Sequence, residues 1–125
     1  MKLYCGAMWN IEYTDEFATW WYGLSESEQV SLDASVRLLE ALGPSLSRPH
    51  VDSIKGSRHS NMKELRTQSS GKPLRTLFAF DPRRSAILLV GGDKTGDDRF
   101  YERMVPEADR LYDNYLDELR KEGLI

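Results

Sequence analysis

Five cations and a phenol gather at the ends of apolar, strand-like runs. Lys63 and Arg66 lie in "NMKELRTQ", Arg75 in "LRTLFAFD", and Lys94, Arg99 and Tyr101 in "GGDKTGDDRFYERM". Clustered ammonium and guanidinium groups suit a phosphodiester, because they neutralise charge as it grows on a phosphorane-like transition state. A tyrosine beside them can donate a proton or stack on a base. Adjacent antiparallel strands bring such side chains together only where register and face agree. Lys63 and Arg66 are three residues apart, so in a regular strand they point to opposite faces and share a cluster only through a twist or bulge. Arg75 interrupts a run in which both alternating sets are largely apolar. A buried, unpaired charge is expensive, so Arg75 must reach solvent or an anionic partner.

The whole chain carries a formal charge of −3, but unevenly. Residues 1–42 hold two basic and seven acidic groups, whereas residues 54–84 hold eight basic groups against Glu64 and Asp81. A polyanion is drawn to the middle of this chain and repelled by its ends. The plainer alternative is that the cations solubilise strand edges.

Other chemistries lack their residues. His50 and His59 stand in no HxxH or HExxH arrangement, and the acidic groups near them form no ligand cluster, so no metal is expected. There is no GxSxG elbow, P-loop or dinucleotide fingerprint, and no cofactor is expected. The single cysteine, Cys5, has no disulfide partner and reads as an inert thiol. No apolar stretch is long enough to span a bilayer and the first ten residues lack a signal-peptide core, which points away from the membrane and to the cytoplasm.

The elements that must position the cations can be read from periodicity. At 125 residues one domain, 1–125, is expected. "WNIEY" alternates as a strand. Thr14 or Asp15 can cap a helix carrying Phe17, Trp20 and Trp21, whose rings read as core. Ser25 and Glu28 have capping-box spacing ahead of a stripe of Leu32, Val36, Leu39 and Leu42, and Gly43-Pro44 stops that helix. Residues 43–60 read as a long connection, and loops of that length often carry function. Three strands follow, joined by "SSGKP" and "PRRS", and the middle one is expected to be central. A closing amphipathic helix is expected from Pro106, with Val105, Ala108, Leu111, Tyr112, Tyr115, Leu116 and Leu119 on one side. The fold class is therefore α+β, β-α-α-β-β-β-α, with a curved antiparallel sheet covered by helices on one face.

The order "KELR…RTLFAFDP…AILLVGGDK", followed by "RFYERMVPEAD", resembles the HigB-like branch of the RelE/ParE toxin superfamily. The resemblance is strongest over residues 54–116. It implies the toxin half of a type II toxin–antitoxin pair, a metal-independent endoribonuclease that cuts messenger RNA, often on the ribosome, by attack of the ribose 2′-OH on the neighbouring phosphate. By position it implies catalytic roles for Arg75, Lys94, Arg99, Tyr101 and Lys63, with Arg75 matching the arginine that contacts the scissile phosphate. Lys55, Arg58, His59, Arg66 and Lys72 are the expected RNA-binding residues. The chain departs from RelE-type toxins in carrying Glu64 where a second-strand lysine would align, which leaves Lys63, Tyr101 and His59 as alternatives for the general base. The implied partners are a cognate antitoxin of helix-turn-helix type, messenger RNA, and operator DNA through the antitoxin complex. Two rivals stay open: a ParE-like inhibitor of DNA gyrase, and a degenerate module that only binds its antitoxin.

Overall fold

The computed structural model describes residues 8–125; Cys5 lies outside them. The elements are β1 (Asn10–Tyr13), α1 (Asp15–Tyr22), α2 (Glu26–Leu42), a 3-10 turn at Gly43–Ser45, β2 (Val51–Ser53), β3 (Lys63–Ser69), β4 (Lys72–Phe80), β5 (Ser85–Asp93) and α3 (Phe100–Lys121). The strands form one sheet in the order β1-β5-β4-β3-β2.

β4 is the central strand, as its doubly apolar pattern predicts. Leu74, Leu77, Phe78 and Ala79 are all fully buried, and full burial of a Leu or Phe is worth about 1.5 to 3 kcal/mol. Phe78 joins Phe17, Leu32, Leu39, Leu65 and Leu88 in a core beneath α1 and α2. Leu77 and Ala79 face the other way and meet Phe100, Val105, Ala108 and Leu111 of α3. Trp20 and Trp21 pack against the first of these cores, so they are core residues as expected.

Four expectations need correction. The helices cover both faces of the sheet, because the two alternating sets of β4 each need a cover. The sheet is mixed: β2 to β5 are antiparallel, but β1 lies parallel to β5, since α1 and α2 return the chain to the opposite edge. The connection 43–60 contains β2, in which the buried Val51 pairs with Leu65. Finally, α3 starts at Phe100 with Pro106 inside it, because the fully buried Phe100 anchors the chain six residues before the proline. In the α2 stripe, Leu32 and Leu39 are buried while Leu42 is largely exposed.

Local signals set the joints. Thr14 caps α1 by accepting from Phe17 N at 3.0 Å, and its hydroxyl donates to Leu89 O at 2.6 Å. Leu89 is the unmatched residue where Leu77 pairs with Val90 and Phe78 with Leu88, a bulge that bends β5. The predicted capping box of Ser25 and Glu28 forms. Ser70 and Gly71 both take positive φ, which the two-residue hairpin between β3 and β4 requires. At the other end of β4, the buried Asp81 accepts from Tyr115 Oη at 2.5 Å and Arg83 Nη2 at 3.0 Å. Arg83 and Tyr115 both reach Glu12, so β1, the β4–β5 turn and α3 are tied at one point.

Candidate functional site

The register of β3 and β4 places Arg66 directly opposite Arg75, and Glu64 lies two residues from Arg66 on the same face. This is the α3 face, left open at this end because α3 begins at Phe100 and runs back over β5 and β4. Glu64 is 3% exposed and sits at the centre of the group. Arg66 Nη2 lies 3.3 Å from Glu64 Oε2 and 3.2 Å from Asp52 Oδ2. Arg75 Nε lies 3.5 Å from Glu64 Oε1, while its Nη1 donates to Leu74 O at 3.1 Å. Tyr101, in the first turn of α3, donates its hydroxyl to Glu64 Oε1 at 2.6 Å. Lys94 Nζ stands 5.4 Å above the Tyr101 ring, within cation–π range.

Two features give this group chemical capacity. The guanidinium groups of Arg66 and Arg75 share one carboxylate, with Nε of each buried, so any anion at this site is met by their terminal nitrogens. The Tyr101 phenol is held above its ordinary pKa, first by burial and then by its bond to the Glu64 carboxylate. It therefore stays protonated at neutral pH and can serve as a donor. Glu64 is the residue sequence reasoning undervalued. The signal was present, since one of only two carboxylates among eight cations in residues 54–84 has several cations to pair with.

Two glycines let the helices come close. A Cβ on Gly91 would lie 2.2 Å from the Trp20 ring on one face, and one on Gly92 would lie 2.9 Å from the Phe100 ring on the other. Gly92 also pairs with Arg75, so the approach of Phe100 sets Tyr101 above the arginine.

The remaining cations are elsewhere. Lys63 projects to the opposite face, beside a cavity lined by Pro44, Leu46 and Ser47, as the three-residue spacing from Arg66 demands; β3 has no bulge to bring it round. Arg58 pairs with Asp113, and His59 Nε2 lies 2.7 Å from Asp113 Oδ1 with its ring against Tyr112, so both fasten the loop before β3 onto α3. Lys72 pairs with Glu28 at 3.4 Å, at the start of α2. Lys55 is exposed beyond β2. Arg99 is exposed at the residue before α3, in a turn held by Asp93, Thr95 and Asp97. Among the described residues, no His, Cys, Asp and Glu side chains group so as to hold a metal ion. Among the described residues, no helix is long and apolar enough to cross a membrane.

Two solved structures share this architecture: the intact E. coli RelBE toxin–antitoxin complex (TM-score 0.53, 10% identity, 67% of this chain and 94% of that one) and the isolated E. coli RelE toxin (TM-score 0.56, 12% identity, 77% and 95%). The fold is thus RelE-like. Residues 19–113 match the family described as Phage derived protein Gp49-like (DUF891), and the chain belongs to this family, the HigB-like branch of the RelE/ParE superfamily. It is 46% identical over 98 residues to "Putative toxin HigB3" of Mycobacterium tuberculosis, covering 78% of this chain and 84% of that protein. It is 38% identical over 118 residues to "Putative toxin HigB2" of the same organism, covering 93% of this chain but only 59% of that protein.

Proposed function

We propose that the protein is the toxin of a type II toxin–antitoxin pair and an endoribonuclease that cuts messenger RNA without a metal. The observation that carries this reading is the pair of guanidinium groups opposed across β3 and β4, with a protonated tyrosine beside them. Arg66 and Arg75 neutralise the scissile phosphate as the ribose 2′-hydroxyl attacks and gives up its proton to solvent water, and Lys94 adds a third positive charge at the rim. The bond to the 5′-oxygen breaks, and Tyr101 supplies the proton that the leaving oxygen needs, giving a cyclic phosphate and a 5′-hydroxyl. Glu64 acts as a positioning residue: buried under its three partners, it fixes both arginines and aims the phenol. The toxin names of the mycobacterial relatives and the antitoxin in the RelBE complex support a cognate antitoxin that silences the protein in the cytoplasm, where the ribosome-bound message would be its substrate.

Transcript ends mapped after induction, beside a gyrase supercoiling assay, test the proposal. New 5′-hydroxyl ends that persist in EDTA are expected, together with rescue of growth by the antitoxin. Intact transcripts with inhibited supercoiling would replace this reading with a gyrase inhibitor.

A further inference from the structure

Beside the Arg66–Arg75 pair a groove runs between α2 and the outer edge of β3. β2 covers β3 only from Lys63 to Leu65, and His50 O accepts from Arg66 N at 2.8 Å as the last bond on that edge. From there to the hairpin the edge of β3 is bare and α2 stands across from it. The resulting cavity is about 580 Å³, inside the span of roughly 300 to 1,000 Å³ typical of small-ligand sites. Its lining includes Ala34, Leu38, His50, Arg66, Gln68 and Arg75. Arg66 and Arg75 therefore belong both to the groove lining and to the Glu64 cluster, so the two adjoin.

The chemistry of the lining selects the occupant. Two guanidinium groups, an exposed imidazole and an amide offer donors to phosphate, ribose and base edges, and Leu38 with Ala34 offers an apolar patch to a base face. Among the described residues no carboxylate lines the groove itself, and the two that pair with its arginines, Glu64 and Asp52, lie outside that lining. By contrast, the cleft between β1 and α3 is lined by Glu12, Asp15, Glu16 and Glu118, and would repel a polyanion. At the groove floor α2 is tied to β3, where Thr67 Oγ1 donates to Ser35 Oγ at 2.7 Å and Ser31 Oγ to Ser69 Oγ at 3.1 Å. We infer that this groove is a nucleotide subsite, resting on the ribonuclease reading above, which holds the unpaired nucleotide flanking the cut and sets sequence preference at that position.

The test uses two exposed positions on separate elements, Ala34→Glu on α2 and Gln68→Glu on β3, with thermal midpoints confirming that each variant folds. Binding is measured with a fluorescein-labelled, fully 2′-O-methylated hexaribonucleotide, which cannot be cleaved, and cut sites are mapped in induced cells. Each variant should bind the oligonucleotide about tenfold more weakly, the size of one lost base contact, and should lose the preference at a single nucleotide beside the cut. Unchanged binding and an unchanged cut-site pattern in both variants, with wild type active, would overturn the subsite and leave the nuclease reading standing. Wild type that neither binds nor cuts RNA would overturn both. Loss of antitoxin capture with RNA binding intact would make the groove a protein interface and overturn the subsite.

Discussion

Tyr101 and Glu64, 37 residues apart in sequence, share a 2.6 Å hydrogen bond that pins the first turn of α3 to β3. Through Glu64 the same bond reaches Arg66 and Arg75, so helix, strand and both guanidinium groups hold one another in place. Replacing the carboxylate tests whether this arrangement matters to chemistry or only to folding.

Glu64→Gln keeps the shape and can still accept from Tyr101, but it removes the charge. Burial, the first cause of the raised Tyr101 pKa, persists, while the Glu64 contribution goes. Ultraviolet titration should show one tyrosine ionising at lower pH than in wild type, and RNA cleavage should fall at least tenfold. A cleavage defect with unaltered tyrosine titration would show that Glu64 does not tune Tyr101.

Arg75→Ala should retain its fold and antitoxin binding while losing about 30- to 1,000-fold in cleavage, equivalent to about 2 to 4 kcal/mol of transition-state stabilisation. Lys63→Ala should cut within about twofold of wild type, because its side chain projects to the other face of β3 and touches nothing in the cluster. Single-turnover cleavage of a ribosome-bound message compares the two. Equal losses would mean that the face assignment is wrong.

Gly91→Ala should destabilise the protein by about 1 to 3 kcal/mol or more through overpacking, since the added Cβ would meet the Trp20 ring at 2.2 Å. Urea unfolding followed by tryptophan fluorescence measures this. An unchanged midpoint would mean that α1 yields without cost.

Stability should fall at both extremes of pH. Burial alone would raise the Asp81 carboxyl, but hydrogen bonds from Tyr115 and Arg83 outweigh it and hold its pKa below the usual carboxylate range. His59 and Arg58 lower Asp113 likewise. The unfolded chain therefore binds more protons near the ordinary value of about 3.9, and this stabilisation, complete above about pH 5, disappears as pH falls through the folded values. Tyr115 is pushed up by burial and by Asp81. Its stabilisation is present below about pH 10 and fades as pH rises further. Asp81→Asn should cost about 2 to 3 kcal/mol at neutral pH, the scale of a charged hydrogen bond, and should flatten both limbs in a series of urea midpoints from pH 3 to 11. Parallel curves for variant and wild type would remove Asp81 from the account.

The sequence by itself determined the secondary elements and their order apart from β2 and the start of α3, because local rules govern them. Capping at Thr14 and Ser25, the stop at Gly43-Pro44, the Ser70-Gly71 turn and the doubly apolar β4 are written in neighbouring residues. The order of its motifs also carried the family, and the spacing of Lys63 and Arg66 already required opposite faces. Tertiary structure decided what depends on register and on long-range competition. That β1 returns parallel to β5, and that α3 covers the face opposite α1 and α2, follows from which apolar surfaces meet. The start of α3 at Phe100 was hidden because helix propensity favours Pro106 as a first residue, whereas burial of Phe100 under Gly92 outweighs that preference. The cations were equivalent on paper. Only the fold separated Arg66 and Arg75, set face to face over a buried carboxylate, from Arg58, His59 and Lys72, whose side chains engage Asp113 and Glu28 on the helices.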